Sequence, residues 1–376
     1  ALSRATPGTL IRVAAGTYGP LGSFSRLQGS ATAPIAVVAD GLVIIDGGGT
    51  SQGLQLSDPR YVVLQGLTVQ NTVPHGINID DGGDYDTPAA FVVLRDMHFR
   101  NVGSGGNNDC LKMSGVDDFF VLDSEFEDCD RGEAIDMVGC HDGVISGNDF
   151  HDMPVNAVQT KGGSADVLIH GNRFVDVSQR AVNAGGSTGL QFFRPLDAPY
   201  EGARIQVVAN TFLRSGSAPV AFVGCDSCVF ANNTVIEPQS YVARILEENT
   251  AKGPGGDGHF INNLIVFNVA DLNSFSYVNV GANTRPDSFT FDSNLWFALD
   301  QPGFSGPIYN GGVPDETGSV IQEDPLLADR PSGDYRLSTA ASPAAGAGRV
   351  VPRGVPADFD GNPYADPPAI GAFAAP

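Results

Sequence analysis

Four short segments of this chain share one form and one spacing, and no other feature restricts the fold as much. They are Leu111-Lys112-Met113-Ser114-Gly115, Ile135-Asp136-Met137-Val138-Gly139, Val158-Gln159-Thr160-Lys161-Gly162 and Val182-Asn183-Ala184-Gly185-Gly186. Their starts are 24, 23 and 24 residues apart, and each opens on an aliphatic residue and closes on glycine. A fixed period of this size with one short strand per repeat marks a solenoid, whose units bury their apolar sides only against one another. The repeats therefore read as coils of a parallel β-helix, an all-β fold with a coil period of about 24 residues.

A second strand follows in each coil and ends on an aromatic or aliphatic residue, as in Asn148-Asp149-Phe150, Asn172-Arg173-Phe174 and Asn210-Thr211-Phe212. Asn recurs at this one place, at 148, 172, 210, 233, 263 and 294. An inward Asn at a turn can bond its own coil and the next Asn in the stack, so a ladder is expected. The Phe positions are expected to stack as an internal file.

A solenoid grows in one dimension, so 376 residues do not demand a second domain. Residues 1–302 are expected to form the β-helix with its N-terminal cap. In that cap, residues 9–13 read as a strand, Ala15-Gly16-Thr17-Tyr18 as a turn, residues 35–39 as a strand and residues 1–8 as a short helix over the open end. Residues 303–376, rich in Pro and Gly, read as an exit cap packed on the helix that protects it from edge pairing. Two coils are long. Ile77 to Leu111 spans 34 residues and Val182 to Ala221 spans 39. The extra residues fall at 80–87 or 101–108, and at 188–203, where they are placed to wall a groove.

The charge balance is acidic, with 21 basic and 43 acidic residues and a net charge of −22. No basic run exists to neutralise phosphates, which excludes duplex nucleic acid as a partner. No apolar run is long enough to span a membrane. The chain begins at Ala1 directly in sequence that reads as structure, as a processed secreted or periplasmic protein would, and a monomer is expected. Its five cysteines are odd in number, and Cys225-x-x-Cys228 without a second pair reads as a local disulfide or buried thiols rather than a zinc site.

Side chains alternate across a strand, so with Leu111, Ile135, Val158 and Val182 inward, their successors point out. One outward column is then Asn78, Lys112, Asp136, Gln159 and Asn183. Two residues on is a second column, Asp80, Ser114, Val138, Lys161 and Gly185. At the preceding turn is a third, His75, Asp109, Glu133, Asn156 and Arg180. Only three lysines occur in the chain, at 112, 161 and 252, against 18 arginines. Two of the three fall in this patch. An amine can be detuned toward its neutral form, whereas a guanidinium cannot. Asp109, Glu133 and Asp136 converge on the same face as candidate ligands for Ca²⁺, which takes six to eight oxygens, or as catalytic carboxylates. Asp80, Asp81, Asp84 and Asp86 form a second oxygen-rich cluster. His141 follows the Asp136 strand, and Arg194 sits on the long insertion, within reach of a groove.

The coils and exit segment resemble the secreted right-handed parallel β-helix polysaccharide lyases, of pectate and alginate lyase type. The resemblance implies substrate in a groove outside this strand face, a Lys, Arg or His base, and often Ca²⁺. It implies cleavage of a uronate-containing polysaccharide by β-elimination. Lys161 or Lys112 would be the base and Arg180 or Arg194 the carboxylate clamp. Asp109, Glu133 and Asp136 would hold Ca²⁺, while Asn78, Gln159, Asn183, Arg194, His141 and His75 would contact substrate. A glycoside hydrolase using the same acids, a uronate C5-epimerase and a non-catalytic carbohydrate-binding protein remain alternatives.

Overall fold

Each coil is closed by residues that tolerate a left-handed backbone. In a computed structural model that describes residues 1–103, 107–130 and 132–376, one corner is taken in successive coils by Asp118, Asp142, Asp166 and Arg204, all with φ between 50° and 58°. A second corner is taken by Asp128, Asp152, Asp176 and Arg214. Aspartate is among the few residues that enter this region at little cost, so several acids of the chain are spent on corners.

Between corners the strands pair in parallel, coil upon coil, through about eleven turns. One sheet has ten described strands, among them Leu54–Ser57, Ile77–Asp80, Leu111–Ser114, Ile135–Val138, Val158–Lys161, Arg180–Gly185 and Ala218–Val223. Leu54, Ile77, Leu111, Ile135, Val158, Val182 and Val220 stand in register along it. The partner of Val182 is thus Val220 and not Ala221, one residue earlier than the apolar pattern suggested. The expected turn at 15–18 is instead the end of a strand, Leu10–Tyr18, which pairs with Ile35–Asp46 despite a register shift at Gly16. The N-terminal helix is a single 3-10 turn, Leu2–Arg4.

The interior carries both expected files. Asn148, Asn172, Asn210, Asn233, Asn263 and Asn294 are all buried, and each amide donates to the side-chain oxygen of the next at 2.9–3.2 Å. Asn294 ends the ladder on the Glu316 carboxylate, which also accepts from Trp296 and Tyr309. Burial of these amides would be costly without such partners. Phe99, Phe126, Phe150, Phe174 and Phe212 stack at 4.7–4.9 Å. The file then changes strand: Phe212 meets Phe230, followed by Phe260 and Phe291.

The C-terminal segment does two things. Phe304, Tyr309 and Val313 join the main core at the end of the coils. Beyond them, Tyr335, Leu337, Ala344, Ile370 and Phe373 pack on the outward side chains Ile236, Leu264, Val266 and Leu295. This part is a strap along the side of the solenoid, not a plug over its end. Two disulfides form, Cys110–Cys129 and Cys225–Cys228, and Cys140 is a buried thiol.

Candidate active site

The strand period places the three outward columns as expected. Asn78, Lys112, Asp136, Gln159 and Asn183 are register partners in successive coils. The column at the turn is knit by its own ladder. His75 Nδ1 accepts from the Asp109 amide at 3.0 Å, Asp109 from the Glu133 amide at 3.0 Å, Glu133 from the Asn156 side chain at 3.1 Å, and Asn156 from the Arg180 amide at 3.1 Å.

Asp136 is the hub. Its side chain has no exposed surface, yet it points to the outer side of the sheet and is covered by both lysines. Lys112 donates to Oδ2, Lys161 lies 3.2 Å from Oδ1, and Gln159 donates to Oδ1 at 3.2 Å. Burial alone would raise the Asp136 carboxyl, but the two ammonium groups outweigh it and hold it below the usual range. Burial alone would lower the Lys112 amine, but Asp136 and then Asp109 outweigh it and raise it. Lys112 therefore stays an ammonium at neutral pH, which corrects its assignment as a neutral base. Asp109, buried beside the Asp136 charge, is pushed well above the ordinary carboxylate range.

One oxygen each of Asp109, Glu133 and Asp136 lies within 4.8 Å of the others. Asp109 Oδ2 and Asn78 Oδ1 are buried acceptors that find no hydrogen-bond donor among the described residues. A hard-oxygen set with orphaned acceptors fits a divalent cation. Lys112 Nζ, 3.8 Å from Asp109 Oδ2, occupies the same neighbourhood, so ammonium and metal would compete for these carboxylates.

A cleft of about 1050 Å³ opens over the second column, with Lys112, Ser114, Val138 and Lys161 on its floor. Both lysine side chains are about 12% exposed. Both insertions wall it. One side carries Asp80, Asp81, Asp84 and Tyr85, the other Ser187, Thr188, Phe192 and Arg194, and Asn107 also borders the space. Of the alternative insertion site at 101–108, residues 104–106 lie outside the described residues. The glycines that close the strands are the seat of the long insertion. At Gly139, with φ of 60°, a Cβ would stand 2.4 Å from Arg194 Cβ, so no larger residue fits.

Several expected contacts are used elsewhere. Arg194 is not a free clamp, since it pairs with Asp81, lies over the Tyr85 ring at 3.9 Å and bonds the Phe192 carbonyl. Its charge is spent latching one wall to the other, helped by Tyr85 donating to the Gln191 carbonyl. Arg180 bonds Asn183 at 3.0 Å and Glu248 at 2.8 Å. Gln159 and Asn183, 7% and 2% exposed, are buried and bonded to each other, so they support the site rather than face substrate. His141 is turned to a corner between Asp117 and the Gly163 carbonyl, away from the cleft. His75 is held to about 4, first by burial and then by the Lys112 charge. It is thus a neutral ring whose Nδ1 is already occupied, which leaves it no free lone pair to act as a base. Asp80, Asp81 and Asp84 accept from the amides of Gly82, Gly83 and Asp86, so these acids shape turns rather than converge on an ion.

Tyr85, Phe192 and Glu201 also shape the site, and none of them stands at a repeating position of the sequence. All three lie in aperiodic insertions. For Glu201 the available signal is indirect: Ala221 and Val223 are apolar at outward positions, which requires something to cover them.

The family model for the right handed beta helix region matches residues 45–195, a stretch that includes the whole cleft floor. No curated protein matches the chain. Among solved structures, the pectate lyase Pel9A is 15% identical with a TM-score of 0.59, over 100% of this chain and 90% of that one. An alginate lyase from Paenibacillus sp. str. FPU-7 is 17% identical with a TM-score of 0.46, over 76% and 94%. The A-module of the Azotobacter vinelandii mannuronan C-5 epimerase AlgE6 is 13% identical with a TM-score of 0.46, over 84% and 91%. The chain is a right-handed parallel β-helix.

Proposed function

We propose that this protein is a secreted or periplasmic lyase, acting as a monomer, that cleaves a uronate-containing polysaccharide by β-elimination. The observation that carries the reading is the pair of lysines, two of three in the chain, whose amines share one buried carboxylate on the floor of a walled cleft. Pectate is the substrate named for the neighbour Pel9A. The two disulfides fit an oxidising compartment. No helix of the described residues is long and apolar enough to cross a membrane.

In this reading the weakly acidic C5 proton of a uronate is removed beside a carboxylate whose charge must be neutralised. Lys112, fixed as an ammonium, neutralises it. Lys161, which lines the cleft with one carboxylate contact among the described residues, gives its ammonium proton to solvent beforehand and takes the C5 proton with the free amine. The C5–H electron pair forms the C4–C5 double bond, the C4–O bond breaks, and water protonates the leaving oxygen. A divalent cation, if bound, would be held by Asp109, Glu133 and Asp136 and would supply further positive charge beside the substrate carboxylate. Against hydrolysis by the acids, Asp109 and Asp136 have no exposed surface to offer a glycosidic oxygen.

The test is incubation with a panel of acidic and neutral polysaccharides, following the ultraviolet absorbance of unsaturated uronate ends. Such absorbance on an acidic polymer supports the reading. New reducing ends without it mean hydrolysis, and neither signal means epimerisation or binding alone.

A further inference from the structure

We infer that the cleft is blind just past Lys161, so that the protein works on the ends of its polymer and not along its interior; this rests on the reading of the cleft as a polysaccharide site. The outer face of the floor sheet changes character along the stack, and past Lys161 both outward columns are covered. Through Gln55, Asn78 and Lys112 the outward positions are polar and partly exposed. From Asp136, which lies beneath the two lysines, through Gln159 and Asn183 to Ala221 they are buried, and in the second column burial is continuous past Lys161, through Gly185, Val223 and Leu246. Ala221, Val223 and Leu246 form a small apolar cluster on what would otherwise be the continuation of the groove.

The cover is a wall keyed by one residue. Glu201, with no exposed surface, accepts from the Gly162 amide at 2.9 Å, the Thr188 amide and hydroxyl at 2.8 Å each, and the Asn249 side chain at 2.6 Å. It thereby ties the coil of Lys161 to the long insertion and to a loop three coils further on. Ser187 donates to the Glu248 carbonyl at 3.3 Å, and Arg180 pairs with the Glu248 carboxylate at 2.8 Å. Gly186 lies against the Lys161 stem, where a Cβ would come within 3.0 Å of Lys161 Cβ. A buried carboxylate with four donors is expensive to undo, so the wall is a fixed part of the site. At the other end the cleft runs out between Ser25, Arg26, Ser57 and Asp58, and the Arg26 side chain is 83% exposed. From that mouth to Lys161 is five coil spacings, about 24 Å. A chain can enter from the mouth and lay its end at the lysines, but it cannot continue past them.

The experiment uses the intact protein with alginate and polygalacturonate, comparing unsaturated-end formation with the size distribution of the remaining polymer. The expected result is small fragments accumulating while the polymer peak keeps its elution position. Early movement of the whole peak to intermediate sizes would overturn the blind end while leaving lyase activity intact. If no unsaturated ends form, the lyase reading fails, and titration with uronate chains of graded length decides the inference. Affinity constant per mole of chains supports end binding; affinity that grows with chain length, or no binding, overturns it.

Discussion

The Lys112 ammonium sits on the Asp136 carboxylate of the next coil, and neither group is free to leave the other without exposing a buried charge. A side chain pointing outward from a strand ordinarily adds little to stability. Lys112 is an exception, because its partner carboxylate is fully buried. Breaking a buried pair from one side typically costs 3–5 kcal/mol, and Lys161 remains to offset part of it. Lys112→Met is therefore expected to cost roughly 3 kcal/mol in denaturant unfolding. Adding Asp136→Leu should cost less than the two single losses summed, the pairwise coupling being read from the double-mutant cycle.

The acid trio gives a test of metal. If Asp109, Glu133 and Asp136 hold a divalent cation, Ca²⁺ should raise the melting temperature, and chelator should reverse the rise. Glu133→Gln should abolish the shift. A melting temperature indifferent to Ca²⁺ and chelator would remove the cation from the account.

His141 supplies a pH prediction independent of catalysis. Burial alone would lower this imidazole, but its bond to Asp117 and the Asp117 charge outweigh burial and raise it above 6.5. A raised folded value means that the stabilisation is fully present below pH 6.5 and is lost as pH rises through the folded value. The melting-temperature gap between the natural protein and His141→Gln should narrow as pH is raised from 6 toward 9. A gap that widens would contradict the Asp117–His141 pairing.

What the chain made legible is what repeats. Asn172 and Phe174 announce their places because each returns once per coil, and the outward column from Asn78 to Asn183 follows from strand alternation alone. What did not repeat was hidden. The Arg194–Asp81 latch joins residues 113 apart, both within insertions, so no period points from one to the other. The phenylalanine file moves from Phe212 to Phe230 because Val235 takes the equivalent strand position, and a single sequence shows the gap but not the detour. The roles of Lys112 and Lys161 were not separable from spacing, since the difference lies in how many carboxylates each amine touches.

Charge on the walls predicts a salt effect. Asp58, Asp80 and Asp84 face the cleft, and the whole chain carries −22, so a polyanion is repelled as it approaches. Raising ionic strength from about 0.01 to 0.1 M shortens the screening length from about 30 to 10 Å. KM for an acidic polymer should fall severalfold over that range while kcat holds. A KM that rises with salt would mean that the local lysines, not the acidic walls, govern capture.

Lys161 carries the central claim, and the initial rate of unsaturated-uronate formation by Lys161→Ala is its most direct test. General-base removal should lower kcat by about 10²–10⁴-fold, with Lys161→Arg equally slow because a guanidinium cannot give up its proton. Cooperative unfolding of both variants should confirm that they are folded. Wild-type rates in folded Lys161→Ala would contradict the account.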